Sequence, residues 1–208
     1  MKFVAISDTH CRHHQIKLPK GDVLLHAGDI SHRGRKDEVI DFLKWFTKQK
    51  FEYKIFIAGN HDFLFEGIKA KELAQLIPEG VTYLFENAIT INGITLWGSP
   101  YTPWFYNWAF NLPRGKLLAK HWAKMPAETD VLLTHGPPYS ILDAVHNERH
   151  IGCVDLLKRV EVVKPKVHVF GHVHEGFGKK ENNGTKFINV SQMNEEYILV
   201  NKPIVFEL

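Results

Sequence analysis

Short apolar runs, each followed by polar residues, recur along the chain. Every run is rich in Val, Ile, Leu or Phe and ends in a cluster of Gly, Asp, Asn, His or Thr. Continuous apolar runs of this length, bounded by turn residues, are typical of strands that are buried on both faces. The pattern predicts five such strands, at Lys2–Ile6, Val23–Leu25, Lys54–Ala58, Val131–Leu133 and Val167–Phe170.

Helical patterns lie between these runs. In Lys36–Lys50, the residues Val39, Leu43 and Phe46 are spaced by four and three, which places them on one helix face. Two further segments show similar spacing, Lys69–Ile77 and Ile151–Val160. Alternation of strands and helices predicts a layered α/β fold.

Two later segments depart from this alternation. Asn92-Gly93 separates two apolar segments, and this dipeptide is a strong signal for a tight hairpin between Ala88–Ile91 and Ile94–Trp97. Lys186–Leu208 is rich in strand-forming residues, with a turn at Asn201-Lys202-Pro203. The sheets are therefore expected to be mixed. The chain shows no repeat or flexible linker, so we predict one domain over residues 1–208.

Composition narrows the class of protein. The chain has 208 residues, 44% of them hydrophobic and 24% charged, as is ordinary for a globular domain. The net charge of +3 is too small to indicate nucleic-acid or membrane binding by itself. Two cysteines and an N-terminus unlike a signal peptide predict a cytoplasmic protein. The longest uncharged stretch, residues 87–113, carries four Asn and three Pro and is not a membrane span.

The positions of several of the 13 histidines indicate a functional site. Acidic, amide and imidazole side chains follow all five predicted strands. Ligands of α/β sheets bind beyond the carboxyl ends of the strands, so these side chains are expected to share one crevice. They are Asp8 and His10, Asp29, Asn60 with His61 and Asp62, His135, and His172 with His174.

Seven of these residues are candidate ligands for metal ions. Two carboxylates, one amide and four imidazoles suit Mn, Fe, Zn, Ni or a similar divalent ion, and the set lacks the thiolates of a structural zinc site. Seven ligands exceed the needs of one tetrahedral ion. If one carboxylate bridges, they suffice for two ions with positions left for water, the arrangement that clamps an in-line phosphoryl displacement.

The order of these motifs resembles the calcineurin-like metallophosphoesterase superfamily. The resemblance rests on Asp8-x-His10, Gly28-Asp29, Gly59-Asn60-His61-Asp62, His135 and Gly171-His172-x-His174. The local sequences His135-Gly136-Pro137-Pro138 and Phe170-Gly171-His172-Val173-His174-Glu175-Gly176 resemble the small metallophosphoesterase-domain-containing group, which includes cyclic-nucleotide phosphodiesterases.

The resemblance implies a fold and a role for each residue. The fold would be a four-layer α/β/β/α sandwich of two mixed sheets flanked by helices. The first metal would be held by Asp8, His10 and His174, and the second by Asn60, His135 and His172, with Asp29 bridging. His61 would act as proton donor or stabilise the transition state, and Asp62 would orient it.

One motif departs from the pattern of protein serine/threonine phosphatases. Those enzymes carry Asp-x-x-Asp-Arg-Gly, whereas this chain has His32 in place of the second acid, in the segment from Asp29 to Gly34. The change argues against a phosphoprotein substrate. Some relatives in the small group lack the first histidine of Gly-His-x-His, but His172 is present here, so a full two-metal site is expected.

These observations predict a two-metal hydrolase of phosphodiesters, cyclic nucleotides among them, in which a metal-bound hydroxide attacks phosphorus in line. The alternatives are a phosphomonoesterase, a nuclease or a non-catalytic scaffold of the same fold. A small-molecule diester or nucleotide is the expected partner, because a charge of +3 shows no basic groove for nucleic acid.

Residues near the motifs leave further alternatives open. The dense aromatic stretch from Trp97 to Phe110 must place some rings in the core, but others would form a wall that stacks on a base, with Trp104 and Trp108 as candidates. Core positions are expected for His26 and His168. The remaining candidates for lining the cleft are His13, His14, His32, His146 and His150, with Arg33 as a candidate contact for substrate phosphate.

Overall fold

The computed structural model describes all 208 residues, Met1–Leu208. Fifteen strands follow one another along the chain: β1 (Lys2–Ile6), β2 (Val23–His26), β3 (Tyr53–Phe56), β4 (Val81–Tyr83), β5 (Asn87–Ile91), β6 (Ile94–Ser99), β7 (Thr102–Pro103), β8 (Asn111–Leu112), β9 (Val131–Thr134), β10 (Ala144–Val145), β11 (Arg149–His150), β12 (Val167–Phe170), β13 (Gly178–Asn182), β14 (Thr185–Asn189) and β15 (Ile204–Glu207). The helices are α1 (Lys36–Thr47), α2 (Phe63–Gly67), α3 (Ala70–Leu76), α4 (Lys116–Trp122) and α5 (Val154–Val163).

The first large sheet has the strand order β15-β1-β2-β3-β4. Its strands from β1 to β4 are parallel, and β15 is antiparallel at one edge. Residues alternate between its two faces, as the two-residue period of a strand requires. Phe3 and Ala5 lie in the core between the sheets, whereas Val4 packs on the opposite face.

The second large sheet has the order β13-β14-β12-β9-β6-β5. Its four central strands are parallel, and the edge strands β13 and β5 each pair antiparallel through a hairpin. In the turn between β5 and β6, Asn92 and Gly93 both have positive φ angles, 47° and 79°. Both central residues of the predicted tight turn require such angles, which is why this hairpin could be predicted.

Helices cover the outer faces of both sheets. On α1, Val39, Phe42 and Phe46 pack against the outer face of the first sheet, together with Phe65 of α2. The outer face of the second sheet packs against α4 and α5 through a cluster that includes Trp97, Trp122 and Leu156. The fold is therefore the expected four-layer α/β/β/α sandwich of two mixed sheets.

Several boundaries differ from those predicted. The last helix begins at Val154 instead of Ile151, because Cys153 caps it: its Sγ accepts a hydrogen bond from the Leu156 amide at 3.3 Å. The sequence patterns did not reveal α4 or β13. In the C-terminal tail, only residues 186–189 of β14 and the whole of β15 are strands. None of the helices has the length and apolar character needed to cross a membrane.

Candidate metal centre

The site lies where the carboxyl ends of strands from both large sheets meet. Parallel strands of one sheet end on the same side, so β1, β2 and β3 deliver Asp8, Asp29 and Asn60 to one place. The second sheet brings the loops that follow β9 and β12. The two sheets are joined here, because the Gln192 amide donates to the Ser7 carbonyl, beside a parallel bridge from Ser7 to Ser191.

The chain turns sharply as it leaves these strands. Asp8, Asp29 and His172 have φ angles of 52°, 56° and 68°, a left-handed conformation that side chains rarely adopt. Such backbone strain concentrates at functional sites, where the surrounding structure holds it in place. All three residues belong to the predicted ligand set.

The motif glycines leave room for the loops to meet. A Cβ on Gly171 would collide with the Asp8 carboxylate and the Ser7 hydroxyl, and one on Gly59 would collide with Asp29. Gly28 has a φ of 99° and would meet His135. The glycines therefore allow loops of different strands to approach closely, which no side chain there would permit.

The structure brings all seven predicted ligands together. Oxygen and nitrogen atoms of three residues, Asp8, His10 and His174, lie within 4.8 Å of one another, and those of Asp29, His135 and His172 form another such group. Asp29 belongs to the second group and also lies close to the first. Its Oδ2 is 3.3 Å from Nε2 of His135 and 3.8 Å from Nε2 of His10. The seventh residue joins through Asn60 Oδ1, 2.8 Å from His135 Nε2.

Backbone carbonyls hold three of the histidines by Nδ1. The Nδ1 of His10 donates to the Ser31 carbonyl at 3.2 Å, that of His135 to Ala27 at 2.9 Å, and that of His174 to Asn194 at 2.8 Å. This is the outer contact that fixes the orientation of metal-binding histidines, and it directs Nε2 into the site. The Nε2 atom of His10 is buried and has no hydrogen-bond partner, as a metal ligand without its ion would be.

The charges of the site favour a bound cation. Burial tends to lower the pKa of His135, but the neighbouring Asp29 carboxylate raises it to about 9. His174 is raised to a pKa of about 9 by its hydrogen bond to Asp8, again against the effect of burial. The pKa values of the Asp8 and Asp29 carboxyls lie below their ordinary range in spite of burial, because the neighbouring histidines stabilise the ionised form. The donor set and the two buried carboxylates therefore fit divalent metal ions, which would take the place of the protons on these two histidines.

His61 lies beside the two groups. Its Nδ1 donates to the His32 carbonyl at 2.8 Å, and its Nε2 lies 3.9 Å from Asp29 Oδ2. The Trp108 ring stacks on it with 4.2 Å between ring centres. The guanidinium of Arg33 lies 4.6 Å from the centre of the Trp108 ring. Stacking and the carbonyl contact together set the orientation of the imidazole.

The Asp62 carboxylate makes no hydrogen bond to the His61 ring, although the sequence favoured it as the group that orients this ring. Its carboxylate accepts hydrogen bonds from the amides of Ile30, Ser31 and Gly59 at 3.2, 3.0 and 2.8 Å, and from the Ser31 hydroxyl at 2.5 Å. These donors belong to the loops after β2 and β3, which carry Asp29 and Asn60. Asp62 therefore joins two loops that carry candidate ligands, because its carboxylate accepts hydrogen bonds from amides of both.

A cleft of about 480 Å³ opens over the site. Its lining includes the aromatic rings of Trp104, Phe105 and Trp108, and also Arg149 and His150. From the same aromatic stretch, Trp97 and Phe110 are buried in the core. Some rings of this stretch therefore lie in the core and others line the cleft, and stacking of the cleft rings on a base remains a prediction.

Tyr197 is a cleft residue that the sequence patterns did not indicate. Its ring lies 4.9 Å from that of His10 and 5.4 Å from that of His174. It sits outside the strands with a φ of 58°. Only the packing of the C-terminal tail against the ligand loops brings it there, so no local pattern could have identified it.

Five of the remaining histidines lie in the core, at the cleft or beside α1. His26 and His168 are buried in strands and hydrogen-bond the hydroxyls of Thr9 and Thr134, as expected of core residues. His150 lines the cleft, as one of the open alternatives had it. His13 and His14 do not line it: they pair with Asp41 on α1.

Comparison with known proteins identifies the family. The calcineurin-like phosphoesterase profile matches residues 1–176, which contain every predicted ligand. The chain belongs to the calcineurin-like phosphoesterase family. This confirms the resemblance inferred from the motifs, and the metallophosphoesterase described here is a metal-dependent phosphoesterase.

Similar proteins extend this picture. Metallophosphoesterase domain-containing protein 1 of Homo sapiens is 41% identical over 230 residues, an alignment that covers all of this chain and 71% of the human protein. The solved structure of TT1561 of Thermus thermophilus has a TM-score of 0.60 at 12% identity, covering 90% of this chain and 88% of that one. GAP50 of Plasmodium, described as the anchor in the inner membrane complex, has a TM-score of 0.52 at 12% identity, over 98% and 76% of the two chains. These two structures show a shared fold alone.

Proposed function

We propose that this metallophosphoesterase hydrolyses phosphodiesters with the help of two divalent ions. The balanced charge of the residues that line the cleft is the observation that favours a diester over a monoester as substrate. Apart from the ligands, Arg114 and Arg149 are offset by Glu175 and Glu195. The Arg114 guanidinium is already engaged by the carbonyls of residues 151 and 152. Such a lining offers little extra positive charge for a dianionic monoester, whereas a diester carries only one negative charge.

The residues that would hold the ions follow from the two groups around Asp29. The first ion would be held by Asp8, His10 and His174, and the second by Asn60, His135 and His172, with Asp29 shared. When bound, such ions polarise phosphoryl oxygens and lower the pKa of water at the site. The contribution of the protein is to fix the imidazoles through their Nδ1 contacts and to keep both carboxylates ionised and buried.

His61 is the candidate proton donor to the leaving oxygen. Its Nδ1 is occupied by the His32 carbonyl, so Nε2 is the nitrogen available to substrate. His61→Ala should lower the rate by about 10²–10⁴-fold for an alkyl leaving group, the usual range for general acid catalysis. The loss should be smaller for an aryl leaving group, which needs little protonation. Equal losses for both would indicate charge stabilisation instead.

The aromatic wall supports nucleotide diesters, cyclic ones included, as the substrate class. Trp104 is the strongest candidate for stacking on a base, because it lines the cleft with 60% of its surface exposed. Trp108 already stacks on His61, so its replacement would disturb that imidazole as well. Base stacking contributes about 1–3 kcal/mol, so Trp104→Ala should raise KM for a nucleotide roughly 5- to 150-fold.

A matched control distinguishes the loss of base stacking in the cleft from the general effects of removing an exposed aromatic ring. Tyr106 is 67% exposed in the same segment but does not line the cleft, so Tyr106→Ala should leave KM unchanged. The KM for an aryl diester without a base should change little in either variant. If the Trp104→Ala protein folds and its KM for the nucleotide is unchanged, Trp104 does not stack on the base.

The direct test is a hydrolysis panel with added Mn²⁺, Ni²⁺, Zn²⁺ or Mg²⁺. We expect kcat/KM to be higher for an aryl phosphodiester than for the matching phosphomonoester. The reverse order would make the protein a phosphomonoesterase. Turnover of single-stranded DNA above that of small diesters would favour a nuclease, which the balanced charge of the cleft does not support. No turnover with any metal would favour a non-catalytic scaffold.

A further inference from the structure

A second group of ligand side chains lies outside the cleft. His13 and His14 belong to the short 3₁₀ turn His13–Gln15, and Asp41 lies on α1. The Nε2 atoms of the two histidines approach one oxygen, Asp41 Oδ2, at 3.1 and 2.9 Å. All three ligand atoms lie within 4.8 Å of one another. None of the three residues lines the cleft of the phosphoesterase site.

The packing holds one of these histidines in place. The His13 side chain is fully buried, with the Phe42 ring edge-on at 5.5 Å and the Trp45 ring at 5.1 Å between ring centres. By contrast, the side chains of His14 and Asp41 are 55% and 54% exposed. The group therefore combines one rigid donor with two donors that solvent, and an ion from solvent, can reach.

The chemistry of the three atoms suits a borderline divalent ion. Two imidazole nitrogens and one carboxylate oxygen are donors that Zn²⁺, Ni²⁺ and Cu²⁺ prefer, whereas Mg²⁺ and Ca²⁺ prefer oxygen alone. In a tetrahedral zinc site with bonds of about 2.0–2.1 Å, neighbouring donors lie roughly 3.3 Å apart. The observed separations from Asp41 Oδ2 are within a few tenths of an ångström of this spacing. The exposed side of the group leaves a fourth position for water.

We propose that His13, His14 and Asp41 form an additional metal site for Zn²⁺ or a similar borderline ion. An ion bound at this position would also affect the stability of the fold. The turn at His13 closely follows the Asp8 and His10 loop, and α1 follows the loop that carries Asp29. A shared ion would therefore tie together two segments that lead from ligand loops of the main centre, and it would stabilise the folded chain by binding only to it.

The test is the number of zinc ions bound after equilibrium dialysis, measured by elemental analysis. His14→Ala and Asp41→Asn should each bind about one ion fewer per chain than the unchanged protein, because each removes one of three ligands. Both substitutions are at exposed positions. Asp37→Asn is the matched control: Asp37 is an exposed acid on the same helix, is paired with Arg35 and belongs to none of the candidate ligand groups. It should bind as much zinc as the unchanged protein.

Thermal unfolding supplies a second readout. In chelator, all the variants should unfold within a few degrees of the unchanged protein, and zinc should raise the midpoint less for His14→Ala and Asp41→Asn than for Asp37→Asn. Phosphoesterase activity with Mn²⁺ should be unchanged in all three. Unaltered zinc content in both ligand variants would overturn the proposal and leave a hydrogen-bonded cluster. Loss of all bound zinc together with activity would overturn it as well, since it would show that the variants act on the main centre.

Discussion

Asp62 offers the sharpest test of how the ligand loops are held. Its Oδ1 accepts from the amide and hydroxyl of Ser31, and its Oδ2 accepts from the amides of Ile30 and Gly59. In Asp62→Asn, one of these oxygens becomes an amide NH₂, which cannot accept. The orientation that loses least places the NH₂ towards Ser31, where the hydroxyl can turn to accept and only one backbone amide is left unpaired.

The magnitude follows from counting unpaired amides. A buried donor left without a partner costs about 1–3 kcal/mol, so Asp62→Asn should lower the free energy of unfolding by about that amount. Asp62→Ala leaves three amides unpaired and should cost about 3–9 kcal/mol, a large part of the roughly 5–15 kcal/mol that is typical of a domain. Asp37→Asn, an exposed control, should change the free energy of unfolding far less than either Asp62 variant.

Urea unfolding in chelator measures these differences without a contribution from metal affinity. The activity of the folded Asp62→Asn protein adds a second criterion. If Asp62 joins the loops, metal affinity should fall while the ratio of rates for aryl and alkyl leaving groups stays unchanged. A variant of unchanged stability whose rate falls only for alkyl leaving groups would refute this reasoning and restore Asp62 as the partner of His61.

Three further predictions concern the metal centre. Asp29→Asn should lower bound metal from about two ions per chain to one or none and abolish turnover, whereas full metal content with activity would exclude a bridging role. Gly171→Ala should displace the Asp8 carboxylate and weaken metal binding in a protein that still folds, which metal titration and circular dichroism would show together. The metal-free protein should lose stability as the pH rises from about 6.5 to 9, because His135 and His174 hold their protons to about pH 9 only when folded. Thermal midpoints in chelator at the two pH values test this, and bound metal should remove the dependence.

Local sequence patterns were sufficient where local physics decides the structure. The prediction for β1, Lys2–Ile6, agrees with the structure to the residue, because a short continuous apolar run has few other ways to be buried. The Asn92-Gly93 turn was predictable because few residue pairs accept two positive φ angles. That the candidate ligands would lie together was predictable, since each follows a strand and parallel strands of one sheet end together.

Contacts between distant segments could not be predicted in the same way. The sequence placed Asp62 beside its neighbour His61, but its carboxylate pairs with the amides of another loop. Tyr197 reaches the cleft only because the C-terminal tail packs near the β1 loop. His13 and His14 follow a ligand loop, yet they turn away from the cleft to Asp41.

Apolar periodicity, turn chemistry and the residue types that follow each strand were thus enough to specify the layered fold, the strand ends and the chemical type of the centre. The partner that orients His61, the rings that line the cleft and the place of the second histidine cluster emerged from the folded structure alone. Each of these depends on how two sheets and their loops pack together, and that packing is a sum of many weak contacts between residues far apart in the chain.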